Sequence, residues 1–403
     1  MLRPLHALAA LASLALPLPL AARDAQPMTY PETRRDDRVE AQFGEPVADP
    51  YRWLENDVRT DSDVADWVAR QNAAAQAHLS ALPERAWFAE KMRTLMAHER
   101  FGLPVKAGRR YFYTRNSGLQ NQSQLFVRKG LRGKPRLLLD PNTWAADGAT
   151  ALDAWKPSPD GSRLLYSVQD GGSDWRTLRV LDVQTGQPLA DEIRWAKFTS
   201  LAWVGKEGFL YSRFPEPVPG QDFQARNYNQ AVWFHRIGTP QSADEPVFQT
   251  PGHPEYGHSA QVTEDGRHVV ITSSIGTDAR HEIHVIDLAR RAVDGWKARP
   301  LVRGFEHDWT LVDGLGSTLW FVTNWQAPLY RLMAFDLAEP QGAWRELVGE
   351  HAEKLERGRI IGNKLILSYL KDAVTHALIY DLAGQPTTAI ALKGIGTASG
   401  FNG

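Results

Sequence analysis

The chain has 403 residues, 43% of them apolar and 23% charged, with 46 Lys and Arg against 47 Asp and Glu. That length suits two or three domains or one long repeat domain, with enough apolar residues for a large core. A net charge of −1 without a long basic stretch excludes a partner tracked through its phosphates, and the lack of Cys excludes disulfides, thiolate nucleophiles and Cys-built metal sites.

The N-terminus reads MLRPLHALAALASLALPLPLAARDAQP. Arg3 precedes an apolar run from Leu8 to Leu20, and the small residues Ala21 and Ala22 follow it. This is the make-up of a secretory signal peptide over 1–22, so a periplasmic or secreted location is expected. Pro17 and Pro19 break the run, which is too short to span a bilayer. No later stretch reaches about 18 uninterrupted apolar residues, so no membrane partner is expected.

Residues 30–56 carry Gly44, Pro46 and Pro50 and no clear period, and read as extended chain lying on another element. Val64, Trp67, Val68, Gln71, Ala75 and Leu79 then recur at spacings of three and four, predicting a helix over 63–80 with Asp63 as its cap. Pro83 ends it, and Phe88, Met92, Leu95 and Met96 stripe a second helix over 84–99.

From about residue 105 the period changes to two. Short runs such as RRYFYTRN, SRLLYSVQD, AVWFHRIG, RHVVITSSI, TLWFVTNW and KLILSYLKD lie between Gly, Pro, Asp and Asn. They also repeat: SPDGSRLLYSV, TEDGRHVVITS, VDGLGSTLWFV and RIIGNKLILSY each set a Gly turn before a strand. A later strand in each unit closes on an acid, at Asp182, Asp287, Asp336 and Asp381. A period near 50 residues with about four strands per unit reads as a mainly β fold, a β-propeller. Six units fit between about 105 and 390, and the tail KGIGTASGFNG falls where a seventh would begin.

Sites of chemistry are sparse. The tail holds Gly396, Ser399 and Gly400, but no Gly-x-Ser-x-Gly nucleophile elbow occurs in the 403 residues. The elbow also needs a strand–turn–helix setting, which the propeller pattern does not offer, so Ser399 reads as a blade-edge serine. His281 and His284 fall on opposite faces of a strand and read as sheet-surface residues unable to share a metal. His253 and His258 read as loop residues without a third ligand. No catalytic residue, no metal ligand and no cofactor site is assigned.

The segments DPYRWLEN (49–56), VADWVARQN (64–72), RRYFYTRNSGLQNQSQLFVR (109–128), the SPDG repeat at 158–161 and NWQAPLYRL (324–332) together resemble the N-terminal half of the prolyl oligopeptidases. The likeness runs from about Tyr30 to Gly403, and the YFYTRNSGLQNQ stretch is closer to prolyl endopeptidase than to oligopeptidase B. The resemblance implies a segment, here 23–104, that packs on an α/β-hydrolase domain. A seven-bladed propeller follows, here 105–403 and incomplete at its C-terminus, about six blades plus the start of a seventh. It further implies a serine peptidase that cleaves short proline-containing peptides after proline, with a Ser-Asp-His triad on the hydrolase domain. That domain would be the propeller's partner, and it is absent from these residues, so the chain alone is expected to be inactive.

Phe198, in IRWAKFTSLAW, matches a propeller aromatic that lines the substrate cavity in the family, although a blade-core Phe is an equal reading. Where the family often has an Arg and a Cys, this chain has Ser274 and Thr277. Two alternatives stand beside the peptidase reading. One is a non-catalytic propeller that serves as a binding module, because a propeller does not dictate its task. The other is a relative with oligopeptidase B-like specificity.

Overall fold

The computed structural model describes residues 29–339 and 344–401, so the expected signal peptide lies outside the described residues. The chain divides into two compact units, one ending at Ala89 and one beginning at Glu90.

In the first unit the helix α1, Ser62–Ser80, is capped by Asp61, whose carboxylate accepts from the N–H groups of Asp63 and Val64. The cap is therefore two residues earlier than the sequence suggests. Asp61 is extended and aims its side chain at the first orphan N–H groups, whereas Asp63 is already inside the helix. The extended segment lies on α1. Trp67 Nε1 donates to Thr33 at 2.9 Å, and Arg70 and Gln71 donate to the carbonyls of Glu32 and Pro31. Buried Trp53 stands edge-on to Trp67, with 6.5 Å between rings.

Within that segment the sequence reading misses a hairpin, Val39–Gln42 paired with Glu45–Ala48. Its turn is Phe43-Gly44, both at positive φ. Such a turn usually announces itself with Asn-Gly or Asp-Gly, and a Phe in the left-handed region gives no such signal. A second helix, α2, spans Arg85–Met96 and buries none of its residues.

The second unit is a β-propeller. Among the described residues its antiparallel strands form six blades in chain order, blades two and three being joined into one eight-stranded sheet where Ala196 pairs with Arg213. Blade one holds Arg110–Asn116, Gln124–Lys129 and Arg136–Leu139 behind the short inner strands Arg100–Phe101 and Val105–Ala107. Blade two is Ala151–Pro157, Arg163–Gln169, Arg176–Asp182 and Pro188–Ala196. Blade three is Ala202–Val204, Gly208–Arg213, Ala231–Arg236 and Glu245–Phe248. Blades four, five and six begin at Tyr256, Trp309 and Lys354.

The repeated acids have one local task. Asp182, Asp287, Asp336 and Asp381 each end the third strand of a blade, and each accepts a backbone N–H from the turn that follows: Thr185, Ala289, Ala338 and Ala383. An Asp there closes the turn with its own side chain. The repeated glycines at the preceding turn, Gly161, Gly266, Gly316 and Gly362, all have positive φ.

Alternation along each strand sends one set of side chains to the blade before and the other to the blade after. Five buried clusters result, each shared by two neighbours. Leu164 and Tyr166 join Phe112 and Leu125 of blade one, while their neighbour Leu165 turns to Phe209 and Tyr211 of blade three. Val269 and Ile271 pack with Leu210 and Phe234, while Val270 packs with Leu319 and Phe321. Blade five meets blade six through Val312, Trp320, Leu365, Leu367 and Tyr369. Each fully buried Leu, Ile or Phe contributes about 1.5–3 kcal/mol, so a row of such seams carries the propeller without disulfides.

The histidine assignments change. His281 lies just before the strand Glu282–Asp287, with Nδ1 3.3 Å from Asp308, and His284 is half-buried with its ring 4.7 Å from Phe248. Neither is an open sheet-surface residue, because an adjacent loop or blade covers each. His258 is buried on the strand Tyr256–Val262 and not in a loop.

Candidate functional site

Consecutive blades connect at one end of the sheets. The loop between the strands Pro188–Ala196 and Ala202–Val204 is such a connection, and it carries Phe198. Phe198 is 61% exposed, so its ring lies outside the blade cores. Trp195 and Phe198 both have positive φ, near 61° and 52°. Bulky residues hold that conformation only where the surroundings enforce it.

The enforcing contacts are explicit. Gln230, itself buried, donates from Nε2 to the carbonyl of Lys197 at 2.9 Å, and its Oε1 accepts the N–H of His258 at 2.6 Å. Thr199 accepts the N–H of Ser212 at 2.7 Å. Ser200 donates to the carbonyl of Ala260 at 2.7 Å and accepts the Ala260 N–H at 3.0 Å. The loop is thus bonded to blade three and to the first strand of blade four.

The side chains form a cationic aromatic group. Lys197 Nζ lies 5.0 Å from the Trp175 ring and 5.3 Å from the Phe198 ring. Trp175 stands edge-on to Trp195 and Phe214, and its Nε1 donates to the Asp222 carbonyl at 2.7 Å. An ammonium held between two ring faces is attracted by both quadrupoles, which fixes Phe198 as an apolar platform beside a positive charge. Asp174 lies 3.9 Å from Lys197 Nζ, so the charge is already paired and the arrangement can hold an apolar group against the Phe198 ring. Lys197, Trp175 and Gln230 were missed from the sequence. Only the local density of aromatics in 195–203 hinted at them.

Ser274 pairs with Gly257 in blade four, and Thr277 is exposed in the turn that follows. Ser399 is exposed in the tail, which is bonded to the start of the strand Val374–Asp381 through Thr375 and the backbone of Gly396 and Ala398.

Two buried histidines have partners that resemble parts of a hydrolytic triad. His258 Nδ1 lies 2.9 Å from Ser273 Oγ, and its Nε2 lies 3.0 Å from Thr250 Oγ1. Burial, reinforced by nearby His284, lowers its pKa to about 4, so it is neutral near pH 7. Two hydroxyls flank it and no carboxylate orients it, and Ser273 is fully buried. His235 has the opposite set: carboxylates on both nitrogens, from Asp191 and Asp244, and no serine. Neither arrangement can generate a nucleophile, which requires serine, base and orienting acid in one chain of hydrogen bonds. Among the described residues, no three His, Asp or Glu side chains are grouped to hold a metal ion.

Among the described residues, six antiparallel blades of four or five strands, with their cores shared between neighbours, define the chain as a β-propeller protein. Residues 31–403 match the model of the prolyl oligopeptidase N-terminal β-propeller domain. The chain therefore belongs to the prolyl oligopeptidase family, through that domain.

The relatives agree. The chain is 32% identical over 385 residues to prolyl endopeptidase of Elizabethkingia meningoseptica, across 95% of this chain and 53% of that protein. It is 30% identical over 406 residues to the dual function macrocyclase-peptidase POPB of Galerina marginata, across 93% of this chain and 55% of that one. Among solved structures, one from a study of two prolyl endopeptidases superposes with TM-score 0.71 at 50% identity, covering 92% of this chain and 53% of the other. Prolyl oligopeptidase B from Galerina marginata, bound to a 35mer hydrolysis and macrocyclization substrate, gives TM-score 0.78 at 28% identity, covering 91% and 54%. The chain spans about half the length of the curated relatives it matches.

Proposed function

We propose that this chain is the propeller portion of a periplasmic prolyl oligopeptidase-type serine peptidase that cleaves short peptides after proline. The propeller covers the active site of a hydrolase domain and limits entry to short chains. Phe198 offers its ring to an apolar side chain of the peptide. Its exposure, its enforced left-handed backbone and the adjacent Lys197 support that role.

The same reading makes these residues inactive by themselves. The observation that carries this is the separation of Ser273–His258 from His235–Asp191–Asp244, both buried and neither complete. Among the described residues, nucleophile, base and orienting acid do not meet in one place, so these residues offer no site that stabilises the transition state.

A chromogenic proline-specific peptide, incubated with the purified chain, tests this. No turnover above the blank is expected. Turnover blocked by a serine-directed inhibitor would refute it.

A further inference from the structure

Charge is unevenly spread along a chain that is nearly neutral overall. Between Glu99 and Asp140 lie 40 residues with ten Lys and Arg and not one acid. At the overall rate of 47 acids in 403 residues, that stretch would hold about five. Its limits are those of blade one, whose strands run from Arg100 to Leu139. Strand pairing then gathers the bases. Arg110 stands opposite Lys129, Val127 stands opposite Arg136, and the Gly130 N–H donates to the Arg109 carbonyl at 2.9 Å. The turns at 108–109 and 130–135 therefore lie side by side, and they bring Arg109, Arg110, Lys129, Arg132, Lys134 and Arg136 to one end of the blade. Neither turn is a long basic run in sequence; the sheet makes the patch.

Neighbouring groups do not neutralise this patch. Arg110 and Arg136 donate to the carbonyls of Gly161 and Val183 in the turns of blade two, which are uncharged acceptors. Asp182, the acid that Arg110 influences, is bonded to the N–H and hydroxyl of Thr185. Asp160, whose carbonyl lies against Gly108, is held by Ser158, Ser162 and Lys206. Arg109, Lys129, Arg132 and Lys134 are exposed, and none of them is in a salt bridge among the described residues. Arg110, Lys129 and Arg136 alternate in step with Phe112, Val127 and Leu138, the side chains packed on blade two, so the patch leans away from the outer flank of blade one. It also lies at the end of the strands opposite Phe198, and a domain seated over Phe198 leaves it open.

Leu131 stands at the apex of the second turn and is 67% exposed. Gly130 before it has φ near 64°, and Gly133 after it comes so close to the Lys129 carbonyl that a side chain there would collide. The glycines thus fold a tip that is apolar and ringed by Lys129, Arg132 and Lys134. Like charges gathered without acids repel one another, and an anionic plane relieves that repulsion. Bases alone would suit any polyanion. The apolar apex adds a preference for a surface into which it can sink, which is what the interface of a bilayer provides. We propose that this end of blade one attaches to a membrane surface of anionic lipid headgroups, with Leu131 seated among the headgroups and the bases on their phosphates. This is attachment to a surface and asks for no spanning helix.

Co-sedimentation of the full chain with vesicles tests the proposal, using pure phosphatidylcholine and an equal mixture of phosphatidylcholine and phosphatidylglycerol. At low salt the anionic vesicles are expected to bind at least about ten-fold tighter than the neutral ones, and the gap is expected to close as added salt screens the charges. Arg132→Glu with Lys134→Glu is expected to lower the anionic affinity at least about ten-fold. Leu131→Ser, which keeps every charge, is expected to lower it several-fold. Lys297→Glu with Lys364→Glu, the same change of charge at the same end of blades four and six, is expected to leave it nearly unchanged. The exposed apolar residues of α2 also meet lipid, so the charge reversal, and not the ratio alone, assigns the contact to this turn. If circular dichroism shows that the double Glu variant does not fold, Arg132→Gln with Lys134→Gln carries the comparison. Saturable binding of soluble polyglutamate that the charge reversal abolishes, without binding to anionic vesicles, assigns the patch to an acidic polymer and overturns the lipid surface. Equal binding to both vesicles, indifference to the charge reversal or to Leu131→Ser, or an equal loss in the variant of blades four and six overturns the proposal.

Discussion

His235 Nε2 lies 3.0 Å from Asp191 Oδ1, a bond between the third strand of blade three and the last strand of blade two. The other ring nitrogen is 2.7 Å from Asp244, which also accepts from the Tyr211 hydroxyl at 2.6 Å, while Asp191 accepts the Gly238 N–H. Burial opposes charge on the ring, but the two carboxylates prevail and push the His235 pKa up to about 9. The seam is therefore closed by a buried imidazolium clamped between two acids.

Removing one member of such a group strands the others. His235→Ala is expected to destabilise the propeller by about 3–5 kcal/mol, because two carboxylates stay buried without their cation. Asp191→Asn is milder, because the amide still bonds to the ring or to the Gly238 N–H. Urea titration followed by tryptophan fluorescence gives both values, and a loss below about 1 kcal/mol for His235→Ala contradicts the clamp.

Two of the buried histidines, His235 and His258, set opposite limits on pH. His235 is raised above its unfolded value of about 6.5, so its stabilisation is complete below that pH and is lost as pH rises through about 9. His258 is lowered to about 4, so the unfolded chain takes up the proton first and stability falls as pH drops from about 6.5 through 4. Midpoint urea concentration against pH is expected to peak near 6.5. His235→Gln is expected to remove most of the alkaline fall, and His258→Gln part of the acid fall, because burial also lowers the pKa of His268 and His284.

Gln230 is the pin beneath the Phe198 loop. Gln230→Ala leaves the Lys197 carbonyl and the His258 N–H without partners and is expected to cost about 2–3 kcal/mol. Gln230→Glu keeps the acceptor for His258 but sets a buried carboxylate oxygen against the Lys197 carbonyl, and is expected to recover none of that loss. Equal stability of wild type and Gln230→Ala in the same titration rules the pin out.

Phe198→Ala separates structure from recognition. An exposed ring contributes little to folding, so stability is expected to change by less than about 0.5 kcal/mol. Affinity for a proline-containing peptide, followed through tryptophan fluorescence, is expected to fall several-fold. A large stability loss with unchanged affinity would return Phe198 to a structural role.

Helix α2 leaves Phe88, Met92, Leu95 and Met96 exposed. Grouped apolar residues of this size mark surfaces that associate. The chain is expected to bind the dye ANS and to elute above monomer size at micromolar concentration. Met92→Lys with Leu95→Glu is expected to reduce both, with no change in the melting temperature.

By itself the sequence determined what local rules govern. Alternation at period two named the strands; Gly and Asp at fixed places named the turns, because those residues close turns within a few positions of themselves; the repeat near 50 residues named the blades. Helix existence was legible, but the α1 cap was not, since Asp61 and Asp63 are equally good caps until the backbone chooses. Tertiary structure alone decided the pairings across blades. Asp191 and Asp244 reach His235 from either side of it in sequence, Gln230 ties Lys197 to His258, and Arg128 Nε is left without an acceptor. These groups are polar, single and far apart along the chain, so no periodicity announces them. They meet because neighbouring sheets pack face to face, and burial then makes each hydrogen bond and each missing partner matter.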